Sequence, residues 1–489
     1  MVQKPFFNRQ NAYSIPSWVV KNPVYIYILA LAGISMVYSA YSIPWYYMAF
    51  GVACVFIFFL YGRNLSKELS EIKIRKEQAF EKRIFIISFV LRLIMMLSLY
   101  FIYLKAYEEP FGYEDADAHF YDELGIFVAD LIGKGNFHFY SEICEWSGTE
   151  DYSDMGQGIY VGFIYYLTNN SILAVRLCKC LLSSLTVVLI YRIAKRNFGI
   201  QTARNAAYFC ALWPNFWYYC SCHLKETEMV FLAVLFVEQA DQMLRSRQFT
   251  AWKVIPVLLI AAAIFTYRTP LALVAVLSLV FSVVMSSSRV VSWGKRIIVG
   301  MLAIMLIGVT MGNRIEEQTR QLFDTVQSGQ QRENMEWRGT REHGNSFAKY
   351  AGASVFAPMI FTLPFPSMVR PWEGQEVQQM LNGGNFIKNI ISAFTILAMV
   401  MLLMTGRWRE HLLPLSFMLG YIVVLTMSTF AQSERFHQPV MPFELMFAAY
   451  GLSIAVTKPK YKRWFTYWCV LMFVACIAWN WFKLKGRGL

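Results

Sequence analysis

Apolar runs of about 20 residues recur along this chain, and short clusters of Lys and Arg separate many of them. A run of that length crosses a bilayer as one helix. Inside lipid, an isolated segment has to satisfy its own backbone, which selects helices. The polypeptide has 489 residues, of which 56% are hydrophobic and 16% charged; a soluble domain carries about 25% charged residues. The pattern therefore predicts an all-α polytopic membrane protein. The net charge of +13 falls between apolar runs, as the positive-inside rule requires. It does not gather into the basic face that nucleic acid needs, so no nucleic-acid partner is expected. The first run, near Val24, lacks a cleavage-site signature and reads as a retained span.

Spans are expected over residues 24–41, 43–61, 84–104, 172–193, 202–219, 224–244, 254–267, 271–285, 297–311, 386–404, 412–430, 440–456 and 464–482, about thirteen in all. Residues 63–83 form a charged connector without a wide apolar face, expected as a cytoplasmic surface helix with i,i+4 pairs. Residues 158–167 are too short to span comfortably and read as re-entrant or interfacial. Residues 347–368, interrupted by Pro358, Pro364 and Pro366, read as a membrane-touching loop. By parity the tail bases Lys483, Lys485 and Arg487 fall outside, against the charge rule. The chain thus divides into a two-span hairpin with connector (1–83), a core (84–456) with outside loops 105–157 and 313–385, and a last span with tail (457–489).

Residues 108–157 are strongly acidic, with Lys134 the one clear base, which places them outside. Tyr121, Leu124, Phe127, Val128 and Leu131 recur at helical spacing and predict an amphipathic helix on the membrane surface, with Asp117 near its start. Carboxylates beside a bilayer are costly and often functional. Other polar groups reach the same side at the ends of separate spans: Lys225, Glu226, Arg268, Arg370, Arg435 and His437. Carboxylates next to cations suit sugar transfer from a lipid-phosphate donor. A carboxylate takes the acceptor's proton, and guanidinium forks hold the leaving phosphate. Asp117 is the candidate base, with Asp115 second and Glu226 orienting the acceptor or holding a cation. Asp115-Ala-Asp117 also has the spacing of a divalent-cation site for Mg or Mn. Among nine cysteines, Cys144 lies within reach of a bridge to Cys220 or Cys222 on sidedness alone.

Four stretches resemble GT-C fold glycosyltransferases, in particular the bacterial polyprenyl-phosphate-sugar-dependent family of protein O-mannosyltransferases and aminoarabinose transferases. They are Asp117 to Gly125, with Tyr121 inside it; Ala174-Val-Arg176 through Gly199; Trp213-Pro214 through Lys225-Glu226; and Glu434-Arg435-Phe-His437-Gln-Pro439-Val-Met-Pro442. The resemblance implies a GT-C-type helical bundle in a bacterial cytoplasmic membrane. It also implies a catalytic Asp in the first outside loop, a polyprenyl-phosphate-linked sugar donor, and a lipid, glycan or protein acceptor at the outer face. By position, Asp117 takes the place of that Asp, and Tyr121 follows it. Gly156-Gln157-Gly158 stands where some relatives carry a Lys-Pro-Pro-type segment. Two rival readings use the same span pattern. One is an O-antigen-type polymerase or ligase, which the early position of the acidic loop disfavours. The other is a lipid-linked glycan flippase, for which internal repeats and charged midplane breaks are expected.

Overall fold

The computed structural model describes residues 15–70, 77–112, 115–148, 153–246, 251–286, 336–337, 339–340, 344–347, 357–372, 376–428, 431 and 433–489. The expected span at 297–311 and the mixed charges around Arg320, Arg332 and Arg341 lie outside the described residues.

The described chain is almost entirely helical. In order come α1 (Ser17–Val37), α2 (Trp45–Phe56), α3 (Gly62–Ser70), α4 (Glu77–Tyr107), α5 (Ala116–Gly133), α6 (Phe139–Ser147), α7 (Met155–Thr168) and α8 (Ile172–Phe198). Then follow α9 (Ile200–Ala211), α10 (Pro214–Ser221), α11 (Glu226–Arg245), α12 (Ala251–Tyr267) and α13 (Thr269–Met285). The described part ends with α14 (Glu376–Met380), α15 (Asn382–Met404), α16 (Leu412–Met427), α17 (Glu434–His437), α18 (Met441–Ala455) and α19 (Pro459–Lys485). Six helical stretches are long and apolar enough to cross a membrane, and four shorter apolar helices accompany them. This is a multi-pass, all-α membrane protein.

Three expectations change. Residues 202–219 are not one helix: the chain leaves helical geometry at Leu212 and Trp213, and α10 restarts with Pro214 in its first turn. Proline has no N–H to give, so a carbonyl of the preceding turn loses its donor. Arg92, fully buried midway along α4, supplies replacements, donating to Cys210 O and Ala211 O at 3.3 Å each. Trp217 Nε1 adds a bond to Ala211 O at 2.8 Å. A cation inside the bundle is thereby explained by a broken helix.

The connector also departs from expectation. α3 continues α2 through a π-helical turn at Ile57–Tyr61 and buries Leu65, Ser66 and Leu69. Beyond the undescribed 71–76, Glu77 and Glu81 pair across to Lys195 and Arg192 of α8. The helix from the acidic stretch forms over Ala116–Gly133, as the spacing predicts, and buries Tyr121, Leu124, Val128 and Leu131. Its apolar face meets protein, however: α5 lies along α7. Glycines make that approach close, since a Cβ at Gly162 would come within 2.6 Å of Val128, and Gly125 and Gly158 abut Val161 and Leu124. Residues 357–372 contain no α-helix.

Side-chain pairs mark the two ends of the bundle. At one end Arg196 binds Glu238 (3.2 Å) and Asp241 (2.8 Å), and Arg245 binds Asp241 (2.8 Å). At the other end α4 finishes, α5 begins and α11 starts. The tail belongs to this second end. Lys483 is buried on Ser367 and on Gln378 at 3.1 Å, and Arg487 stacks over Trp372 at 4.1 Å. Two of its three bases are thus used in packing. All nine cysteines are free thiols, and Cys144 is bridged to neither Cys220 nor Cys222.

Candidate active site

α5 starts immediately after Asp115, whose side chain accepts from Ala118 N at 3.3 Å and caps the helix. This puts Asp117 in the first turn, with its side chain 55% exposed. α10 has eight residues before the chain turns into α11. That turn lies within the bundle, so Glu226, the first residue of α11, is buried. α17 is a four-residue helix between α16 and α18, and it carries Arg435.

These three elements meet through one side chain. Arg435 Nη1 donates to Asp117 Oδ2, and Arg435 Nε donates to Glu226 Oε1. Burial opposes the Arg435 charge, but the Glu226 and Asp117 carboxylates outweigh it and hold the guanidinium above its ordinary value. Asp115 accepts no bond from Arg435 among the described contacts. Burial raises its carboxyl above the ordinary range, against the pull of the Ala118 amide and Arg435.

A second cluster adjoins the first. Lys225 precedes α11, donating to Asp154 Oδ1 and to Tyr267 O at 3.1 Å. Burial and the neighbouring Arg268 guanidinium push its ammonium down to about 8. The Tyr121 hydroxyl donates to the same Asp154 oxygen at 2.9 Å. Asp154 has φ 77°, a left-handed conformation that Asp tolerates better than most residues. Arg268 lies 4.3 Å over the Phe436 ring, next to Arg435 in the chain.

Two candidates lie apart from this arrangement. Arg370 pairs with Glu376 at 3.4 Å, and its amide donates to Tyr41 O at 2.8 Å. His437 is turned into the bundle, with Nδ1 2.9 Å from Lys388 Nζ and Nε2 2.8 Å from Ala431 O. Burial, then Lys388, pushes its imidazole well below the ordinary value, so it is neutral. Nδ1 accepts from Lys388 and Nε2–H donates to the carbonyl. Lys388 reaches Glu444 at 3.5 Å. His437 thus fastens the short helix that presents Arg435.

Asp154 was missed as a member of the site. It is one acid among thirteen in an acidic loop, and nothing local marks it. The described residues around the Asp-x-Asp pair do not fit a divalent cation. Asp115 is turned to a backbone amide and Asp117 to a guanidinium, and no third ligand joins them among the described residues.

The class that fold and site define is a multi-pass α-helical membrane protein with an acid–arginine cluster at one end of the bundle. Residues 159–311 match a family profile described as dolichyl-phosphate-mannose-protein mannosyltransferase. The chain is therefore similar, over less than a third of its length, to transferases that use lipid-phosphate sugars. The match includes Lys225, Glu226 and Arg268. It stops short of Asp115, Asp117 and Tyr121 on one side and of Arg370, Arg435 and His437 on the other. No curated protein matches the chain.

Proposed function

We propose that this protein is an inverting glycosyltransferase moving a sugar from a polyprenyl-phosphate carrier to a hydroxyl of a lipid, glycan or protein at the outer face of a cytoplasmic membrane. The observation that carries the reading is the bridge of Arg435 between Asp117 and Glu226, three residues from three separate parts of the chain. Asp117 is the exposed carboxylate of the group and takes the acceptor's proton as the acceptor oxygen bonds to the anomeric carbon. The bond from that carbon to the phosphate oxygen breaks, and its electron pair leaves on the lipid phosphate. Arg435, Arg268 and Lys225 supply positive charge where that phosphate gains negative charge. Glu226 keeps Arg435 aimed. The lysines and arginines gathered at the opposite end of the bundle support an outward-facing site.

Asp117→Asn is expected to lower transfer by about 10²–10⁴-fold with unchanged expression and insertion. Arg268→Ala is expected to weaken binding of polyprenyl-phosphate-mannose. Transfer measured on the purified protein with a radiolabelled donor decides the first point. Wild-type turnover in Asp117→Asn removes the base, and carrier translocation that survives without transfer favours a flippase.

A further inference from the structure

One flank of α5 is left over after its apolar face has packed on α7. Phe120, Glu123 and Phe127 recur along it at i, i+3 and i+7, so ring, carboxylate and ring share one line. Phe120 and Glu123 are exposed and Phe127 is half-buried. Trp146, from α6, joins the two rings. Its ring centre lies 5.8 Å from that of Phe120 and 5.6 Å from that of Phe127, stacked on the latter with 19° between the planes. Even so, Phe120 and Trp146 stay 37% and 38% exposed, and apolar surface kept in water is costly unless something covers it. Asp117, the candidate base, stands about one helical turn before Phe120, so the aromatic strip begins beside it. From Asp117 to Phe127 the helix rises about 15 Å, enough for more than one sugar ring.

Charge decides what can cover the strip. Exposed carboxylates border the rings at Asp117, Glu123, Asp130 and Glu145, and Lys134 is paired to Asp130. The anionic surface of a membrane and a phosphate-bearing acceptor are both repelled by that border. A neutral polyhydroxyl chain is not. The face of a pyranose ring is a sheet of positively polarised C–H bonds, which lies on the negative face of an aromatic ring. Its rim of hydroxyls donates to carboxylates, and O–H···O⁻ bonds are among the stronger ones. We infer that the α5–α6 strip is the acceptor subsite and that the acceptor is a neutral glycan chain. The chain lies along Phe120, Trp146 and Phe127 and brings one hydroxyl to Asp117, an inference that rests on the glycosyltransferase reading above.

The test uses the full chain in lipid nanodiscs and three neutral probes, cellohexaose, mannohexaose and chitohexaose. Wild type is expected to bind at least one of them. Trp146→Ala should weaken that binding about threefold to tenfold, and Trp146→Phe should recover most of it. Binding of polyprenyl-phosphate-mannose should stay unchanged in both, which reports an intact fold. Glu123→Ala, at an exposed position, should weaken saccharide binding as well. Binding of none of the three saccharides by wild type overturns the inference, as does undiminished saccharide binding in Trp146→Ala or in Glu123→Ala. A lysine- and serine-rich peptide bound in place of the saccharides assigns the strip to a peptide and also overturns it. So does brominated lipid that quenches wild-type emission more than that of Trp146→Phe, because it places the ring in the bilayer. Wild type that binds saccharide but no polyprenyl-phosphate-mannose overturns the donor reading instead, a separate failure.

Discussion

Burial makes Asp115 a poor place for a charge, and this separates it from Asp117 two residues away. Its raised carboxyl means that folding favours the protonated form. Its contribution to stability is complete below the unfolded value of about 3.9 and is lost as pH rises through the higher folded value. Asn caps a helix about as well as Asp. Asp115→Asn should therefore melt no lower than wild type at pH 7, and its advantage should vanish near pH 4 in detergent melts at both pH values. It should also keep transfer activity, which Asp117→Asn loses. Arg435 obeys the opposite logic. Its removal leaves Glu226, 1% exposed, as a buried charge without a partner. Breaking such a pair costs about 3 kcal/mol, the low end of the range, since Arg435 itself is 24% exposed. Glu226→Gln should cost less, and the double variant Arg435→Ala/Glu226→Gln should be more stable than Arg435→Ala alone. Equal stabilities for the double variant and Arg435→Ala would deny that the bridge matters. The bridge itself was not legible in the chain: Arg435 and Asp117 are 318 residues apart, and no local pattern encodes that separation.

Elements were more legible than contacts. The spacing of Tyr121, Leu124, Val128 and Leu131 encodes a helix, and α5 is that helix. What the spacing does not encode is the partner, because an apolar stripe looks the same whether lipid or protein covers it. The glycines of α7 held the missing signal. Gly158 and Gly162 recur at i,i+4, a helix face with no side chains, and against it α5 settles. Gly162→Val should overpack this seam, costing about 1–3 kcal/mol, with Gly162→Ala milder. Because Asp117 rides on α5, the same change should lower transfer more than it lowers donor binding, since a misplacement of about 1 Å costs about 10²-fold. Transfer and binding assays on one preparation check this; a parallel fall in both would place the damage elsewhere. The break before Pro214 was hidden by the apolar sequence on either side, although the proline itself was the cue.

At the scale of the whole molecule, the order of the helices follows from the apolar runs, and the two ends follow from where the charges pair. Labelling can check the arrangement. On a Cys144→Ser background, Cys introduced at Glu145 and at Gly488 should react with an impermeant maleimide from one side of sealed vesicles, and Cys at Lys67 from the other. Reaction of Gly488→Cys with Lys67→Cys, from the same face, would contradict the placement of α19. The tail bases are poor topology markers for a physical reason: Lys483 is tied to Ser367 and Gln378, and Arg487 rests on Trp372.

That anchoring has a practical side. A purification handle fused after Leu489 would emerge at the same end of the bundle as the Asp117–Arg435 cluster, where the proposed transfer would take in its acceptor, on a helix too firmly moored to swing it clear. Bulky fusions there should slow turnover with large acceptors while sparing small ones.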